Sequence, residues 1–180
     1  LQGDGAGLGV GLARALRGQA RAGSGAWARP AVRPRMAWLS GSCSDATRRQ
    51  VAAANANCTG LRLDPMALAA DPGLASRIAA DAVARIGDVP VLVYATAAPA
   101  EVAAAQAALG AARAATVVED AFRGIAGALA AAGVGAFVVA GGETAGAVVE
   151  ALGVRALAIG PEIAPGVPWT RALGERPLWL

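Results

Sequence analysis

Phe137-Val138-Val139-Ala140-Gly141-Gly142-Glu143-Thr144-Ala145-Gly146-Ala147-Val148-Val149 is the stretch whose reading decides the fold. A short apolar run rich in β-branched residues meets a pair of glycines, and an Ala-rich helical pattern follows. Such a run predicts a strand buried on both faces of a parallel sheet. The glycines let the chain turn sharply and let a ligand approach the main chain. Glu143 and Thr144 then fall in the first turn of a helix. Its unpaired N–H groups and the positive end of its dipole converge on the turn, which suits phosphate. The same stretch also suits a plain strand-to-helix connection with Thr144 as a cap.

The flanking chain repeats this pattern. An apolar run over 36–39 is followed by Ser40-Gly41-Ser42-Cys43-Ser44-Asp45-Ala46-Thr47 and a helical stretch over 48–57. Its hydroxyls suit phosphate or ribose contact, while Ser44 or Asp45 also suits simple helix capping. Residues 61–63 predict a short strand, and Asp71-Pro72 a cap and first-turn proline opening the next helix. Leu74, Ile78, Ala82 and Ile86 give that helix an apolar face, with Asp81 and Arg85 paired outside. Residues 89–95 are the strongest strand signal, and a helix over 100–109 follows. The next helix, over 114–132, buries Val118, Phe122, Ile125, Leu129 and Ala132, with Glu119 and Arg123 paired on its wet side. Beyond the organising unit come a strand over 156–159, a stiff loop over 160–168 and an apolar run from 177.

Strands alternating with helices through short Gly-containing turns predict an α/β domain, a mainly parallel sheet with helices on both faces in a Rossmann-like three-layer arrangement. Right-handed crossovers place both turns at the carboxyl edge of the sheet, where ligands bind in such folds. Residues 1–34 hold a Gly-x-Gly series at 3–11 and a Gly-, Ala-, Arg- and Pro-rich linker from a preceding domain, and the globular part is expected over 35–180. With Leu1 rather than Met at its start, the chain reads as the interior of a longer protein.

Composition removes several chemistries. The chain has 180 residues, 56% of them hydrophobic, with 16 basic residues, all Arg, and no His. Lack of His excludes a His base or His metal site, and lack of Lys excludes a Walker-type P-loop and a Schiff base. Net charge is +3, yet aromatic residues make up only 4%. Dispersed arginines without interleaved aromatics argue against nucleic acid. Cys43 and Cys58 lack metal-ligand spacing and read as reduced cytosolic thiols, so a cytoplasmic location is expected. The uncharged window over 124–142 approaches the length of a membrane span, but its glycines and its Ala-to-Val shift predict a helix end and a strand.

Ser40-Gly41-Ser42-Cys43-Ser44 with Thr47 and Gln50 resembles a motif of the four-carbon acid sugar kinases, in their C-terminal nucleotide-binding domain. Gly141-Gly142-Glu143-Thr144 with the Leu152-Gly153 helix end resembles a later motif of that domain. Pro161-Glu162-Ile163 with Pro165-Gly166-Val167-Pro168 resembles another, in the same order, and Gly5-Ala6-Gly7-Leu8-Gly9 resembles the segment before them. Members have also carried an older label as Hrp-dependent type III effectors. The resemblance implies phosphorylation of the terminal hydroxyl of threonate, erythronate or 3-oxo-tetronate, with ATP and Mg²⁺. It places nucleotide contacts on Ser42, Ser44, Gly141, Gly142, Glu143 and Thr144, with no protein metal ligand assigned. Glu143 has three candidate roles: Mg²⁺, ribose or cap.

The family's Asp-Asp-x-Thr-Gly substrate motif is absent, as is the Lys-Ser-Gly-Asn-Phe-Gly run expected after Leu180, and Ala6 stands where members often carry Ser. The sugar acid is therefore expected to bind through a domain not present here, which also holds the catalytic residues, and this fragment alone is expected to be inactive. A homo-oligomer fits the resemblance. A non-catalytic nucleotide- or sugar-phosphate-binding module is the alternative.

Overall fold

The computed structural model describes residues 35–58, 60–173 and 178–179. The Gly-x-Gly series and linker expected over 1–34 lie outside the described residues. Four parallel strands form the central sheet: β1 (Met36–Ser40), β2 (Leu61–Arg62), β3 (Val91–Tyr94) and β4 (Ala136–Ala140), in the order β2-β3-β1-β4. Between them run α1 (Asp45–Asn55), α2 (Pro65–Ala70), α3 (Leu74–Ala84), α4 (Pro99–Leu109) and α5 (Ala111–Ala131). After β4 comes α6 (Gly142–Ala151), and then the strands β5 (Leu157–Ala164) and β6 (Val167–Ala172).

Strand order and handedness decide where the helices go. The chain leaves β1 toward β2, whereas the β2-to-β3 and β3-to-β4 connections move across the sheet the other way. Right-handed crossovers then put α1 on one face and α2 through α5 on the other. The core follows that division. Phe122, Ile125 and Leu129 of α5 are fully buried beside Ala37, Leu39, Val93 and Phe137 from one face of the sheet. Helix α1 covers the opposite face near β3, where Leu92 is 2% exposed.

Two expectations on this sheet change. The β4 strand is not buried on both faces: Val138 is 49% exposed, because α1 packs toward β3 and leaves that flank of β4 open. Residues 160–168 are not a loop. They form most of an antiparallel hairpin, β5 against β6, with register shifts around Glu162. Pro161 falls inside the first shift and Pro165 in the turn, where a missing N–H costs no ladder bond. Trp179 pairs along the edge of β4, since Phe137 N–H donates to the Trp179 carbonyl at 2.8 Å and Trp179 N–H to that of Gly135 at 3.0 Å.

Helix boundaries follow local chemistry. Asp64 caps α2 by accepting from Met66 N–H at 3.0 Å, with Pro65 in the first turn, a signature that sequence reading placed at Asp71-Pro72 instead. There Asp71 closes a turn onto Gly73 N–H at 2.9 Å, and α3 starts after it. The expected helix end at Gly153 is present. Gly153 has φ +63°, and its N–H and that of Val154 return to the carbonyls of Glu150 and Val149. The Asp81–Arg85 pair forms as expected. Arg123 does not pair with Glu119. It holds Asp120 and, across to α6, Glu150, which leaves Glu119 turned elsewhere. No described helix is long and apolar enough to cross a membrane.

Candidate functional site

Strands β1 and β4 lie side by side, and their chains depart at the carboxyl edge toward opposite faces of the sheet. A crevice opens where neighbouring connections diverge in this way. The two loops meet there. Gly41 N–H and Ser42 N–H both donate to the Ala140 carbonyl, at 2.9 and 3.1 Å, which ties the loop after β1 to the end of β4. Close approach depends on glycine at both positions. A Cβ on Gly41 would lie 2.1 Å from Thr144 Oγ1, and one on Gly141 would lie 3.1 Å from Ser42 N. Gly141 also has φ +117°, a conformation L side chains rarely adopt, whereas Gly142 has open space around it. The conformationally special glycine of the pair is therefore Gly141, and Gly142 opens the helix.

Helix α6 begins with no side-chain cap. Its first-turn N–H groups, on Gly142, Glu143 and Thr144, precede the first intrahelical bond, which Ala145 N–H makes to Gly141. Thr144 is 5% exposed, and its hydroxyl makes no hydrogen bond among the described residues. It lines a cavity with Gly41, Cys43 and Glu143. The Glu143 carboxylate likewise has no hydrogen-bond partner among the described residues, so it does not cap α6.

The loop after β1 is held by hydroxyls. Ser44 is the N-cap of α1, its Oγ accepting from Thr47 N–H at 3.2 Å and lying 2.9 Å from Thr47 Oγ1. Thr47 Oγ1 donates to Ser42 Oγ at 3.1 Å. With that proton committed, Ser44 donates to Thr47, and the Ser42 hydroxyl proton is left to point outward. Beneath the loop, Thr96 Oγ1 donates to the Ser42 carbonyl at 2.8 Å and sits 2.8 Å from Ser40 Oγ. Ser40, Thr47 and Thr96 are all buried. Sequence reading missed Thr96. Its signal is a lone hydroxyl two residues beyond a fully apolar strand, at the edge where the other loops cluster.

The cavity measures about 660 Å³ and runs along the carboxyl edge from the β4 turn to the start of α2, roofed by α4 and α5. Of the six predicted residues, Glu143 and Thr144 line it. Ser42, Ser44, Gly141 and Gly142 stand beside it, in the two loops that supply Gly41 and Cys43, and Glu143 and Thr144, to its wall. Four carboxylates face it, from Asp64, Glu101, Glu119 and Glu143, against one guanidinium from Arg62. Arg62 is paired with Glu101, whose carboxyl is held below its ordinary range by that hydrogen bond and by the Ala98 N–H. The same bond raises Arg62 above its ordinary value. Excess negative charge favours an anion that arrives with its own cation. Among the described residues no three Cys, Asp or Glu side chains gather into a metal site.

The family model for the nucleotide-binding C-terminal domain matches residues 37–180. The chain belongs to this family. It is 47% identical over 172 residues to the 3-oxo-tetronate kinase of Methylobacterium radiotolerans, covering 94% of this chain and 41% of that protein. Against the 3-oxo-tetronate kinase of Cupriavidus necator it is 52% identical over 143 residues, covering 79% of this chain and 33% of that one. A crystal structure of a Haemophilus influenzae protein superimposes with a TM-score of 0.80 at 33% identity, covering 97% of this chain and 42% of its own. The family's relatives are thus kinases, and the chain spans about two fifths or less of the length of those it matches.

Proposed function

We propose that this chain is the ATP-binding part of a kinase that phosphorylates the terminal hydroxyl of a four-carbon sugar acid, with 3-oxo-tetronate favoured over threonate and erythronate by the names of its relatives. One observation carries the reading. The uncapped first turn of α6 opens beside the Ser42 loop, at the point where connections from adjacent parallel strands diverge. Phosphoryl transfer needs positioning and charge stabilisation more than covalent chemistry. The three amides of α6 and the hydroxyls of Ser42 and Thr144 are donors for the phosphates. Mg²⁺ supplies the charge that the acidic wall lacks, and Glu143, free of any cap, is the nearest carboxylate for it or for a ribose hydroxyl.

The sugar acid is assigned to the part of the relatives that this chain does not match, so the 180 residues alone should bind nucleotide without transferring phosphate. Calorimetric titration with ATP, ADP and NAD, each with Mg²⁺, tests the assignment. Binding of ATP and ADP with no phosphorylation of added sugar acid is expected. NAD binding more tightly than either adenine nucleotide would overturn it. Substituting Gln for Glu143 and titrating ATP across Mg²⁺ concentrations separates the two roles of that carboxylate. A ribose role leaves the Mg²⁺ dependence intact, and a metal role abolishes it.

A further inference from the structure

Trp179 bridges Ala136 in parallel register and Arg171 in antiparallel register. The β5–β6 hairpin therefore continues the central sheet beyond β4, with β5 outermost and running the same way as β4. An outermost strand carries a row of unpaired N–H and C=O groups. The ladder fixes which ones they are. Leu173 N–H donates to the Ala156 carbonyl, so Ala156 and Ala158 face β6 in hydrogen-bonded pairs, and the backbone groups of Leu157 and Ile159 point outward. Among the described residues no strand pairs with that outer side.

Sheet edges are commonly guarded by charge, proline or a bulge. On β5 the proline comes only at Pro161 and the first shift in register only after Ile159, while residues 156–160 carry no charge. Leu157 and Ile159 share one face of the strand and are 38% and 74% exposed, so edge and face are both open there. A strand edge is complementary to itself across a two-fold axis. With the axis at Ala158, Leu157 lies opposite Ile159 of the second copy, and the two exchange both their hydrogen bonds. Between Ile159 and Glu162, β5 takes three steps where β6 takes two. The bulge absorbs the extra residue, so Glu162 comes to lie opposite Arg155 of the second copy. Both side chains are exposed, and neither has an ion-pair partner among the described residues. The missing N–H of Pro161 falls inside the bulge, where it costs no ladder bond.

We propose that β5 is a dimerisation edge, pairing antiparallel with β5 of a second copy across a two-fold axis at Ala158 and joining the two sheets into one. Leu157 and Ile159 of both copies then cluster on one face, closed at either end by Arg155 facing Glu162. Antiparallel joining turns the two carboxyl edges in opposite directions, so each cavity stays open. The pairing does not depend on the nucleotide reading above.

Sedimentation equilibrium of the whole chain tests it. Wild type should dimerise with a Kd of about 10 µM or tighter. Ile159→Asp, at an exposed position, should weaken the dimer about tenfold or more without changing the circular dichroism spectrum. Arg155→Glu and Glu162→Arg should each weaken self-association about tenfold, because like charges then meet at both ends of the edge. Mixed in equal amounts, these two variants should associate with each other as tightly as wild type does with itself, since opposite charges meet again at both ends. Association regained on mixing also reports that both variants are folded, including Glu162→Arg, which loses the hydrogen bond from Gly166 N–H. A wild type still monomeric at about 0.1 mM overturns the second copy and leaves the edge to another partner, such as the remainder of the longer relatives. A dimer untouched by Ile159→Asp lies on another surface, and variants that stay apart on mixing refute the register. Either result overturns the proposal.

Discussion

Replacing Gly41 with Ala isolates the contact on which the crevice depends. Gly41 is not among the glycines with positive φ, so alanine meets no backbone strain there. Its new Cβ would lie 2.1 Å from Thr144 Oγ1 and 3.4 Å from Phe122 and the Thr144 Cβ. Only the hydroxyl is in serious conflict, and it must retreat by roughly an ångström to reach ordinary contact at 3.4 Å. Thr144 is 5% exposed and packs at the first turn of α6, so it can rotate about χ1 or push the helix outward. Leaving a good rotamer costs about 0.5–1.5 kcal/mol, and overpacking a core about 1–3 kcal/mol. For a chain of this size each kcal/mol lowers Tm by about 2–4 °C. Moving the hydroxyl should also cost about tenfold in ATP affinity, the worth of one hydrogen bond. A double-mutant cycle makes the reasoning specific. In a Thr144→Ala background the obstructing oxygen is gone, and Gly41→Ala should cost about 0.5 kcal/mol or more less than in wild type. Chemical denaturation of the four proteins measures this. Equal cost in both backgrounds would refute the contact.

Gly141→Ala should destabilise by about 1–3 kcal/mol, through its φ of +117° and the Ser42 amide 3.1 Å from the new Cβ. Gly142→Val, with open space around it, should leave urea midpoints nearly unchanged but reduce the ATP-induced Tm shift. Thr96→Val strands the Ser42 carbonyl and the Ser40 hydroxyl, and should cost about 1–3 kcal/mol in urea titrations. The carboxyls of Asp71, Asp81 and Glu101 are held low by their hydrogen bonds to Arg77, Arg85 and Arg62. Their stabilisation is complete above the ordinary carboxylate range and is lost as pH falls through the depressed values. Denaturant midpoints should therefore drop on acidification from neutral pH, and less steeply in 0.5 M NaCl, because the pairs are exposed.

Much of this fold is legible because it is written in backbone chemistry. Residues 91–93 are 4%, 2% and 0% exposed, as an unbroken Val-Leu-Val run in a central parallel strand requires. The Gly153 helix end follows from one residue able to adopt its φ. Failures arise where one local signal admits two tertiary outcomes. Proline at 161, 165 and 168 is compatible with a loop or with a bulged, exposed hairpin, and only pairing partners decide. Glu119 and Asp120 both lie one turn before Arg123, and the choice between them depends on Glu150, which α6 brings from elsewhere in the chain.

The candidate site divides along the same line. Its phosphate end is built from glycines and hydroxyls whose spacing after two strands is visible in sequence, although Ser44 is committed to capping α1 rather than left free. Its wall under α4 and α5 also includes Ala105, Ala114 and Ala115, which carry no functional group and look like helix filler. They matter through what they leave empty. Larger residues there would take up part of the cavity's volume. A binding site defined by missing volume has no letter of its own in a sequence, and it appears only once strand order has placed two Ala-rich helices over one edge. The substitution that tests such a site is therefore one that adds atoms. Ala115→Leu removes no hydrogen bond and no charge, so a loss of ATP affinity at an unchanged urea midpoint would report occupied space and nothing else.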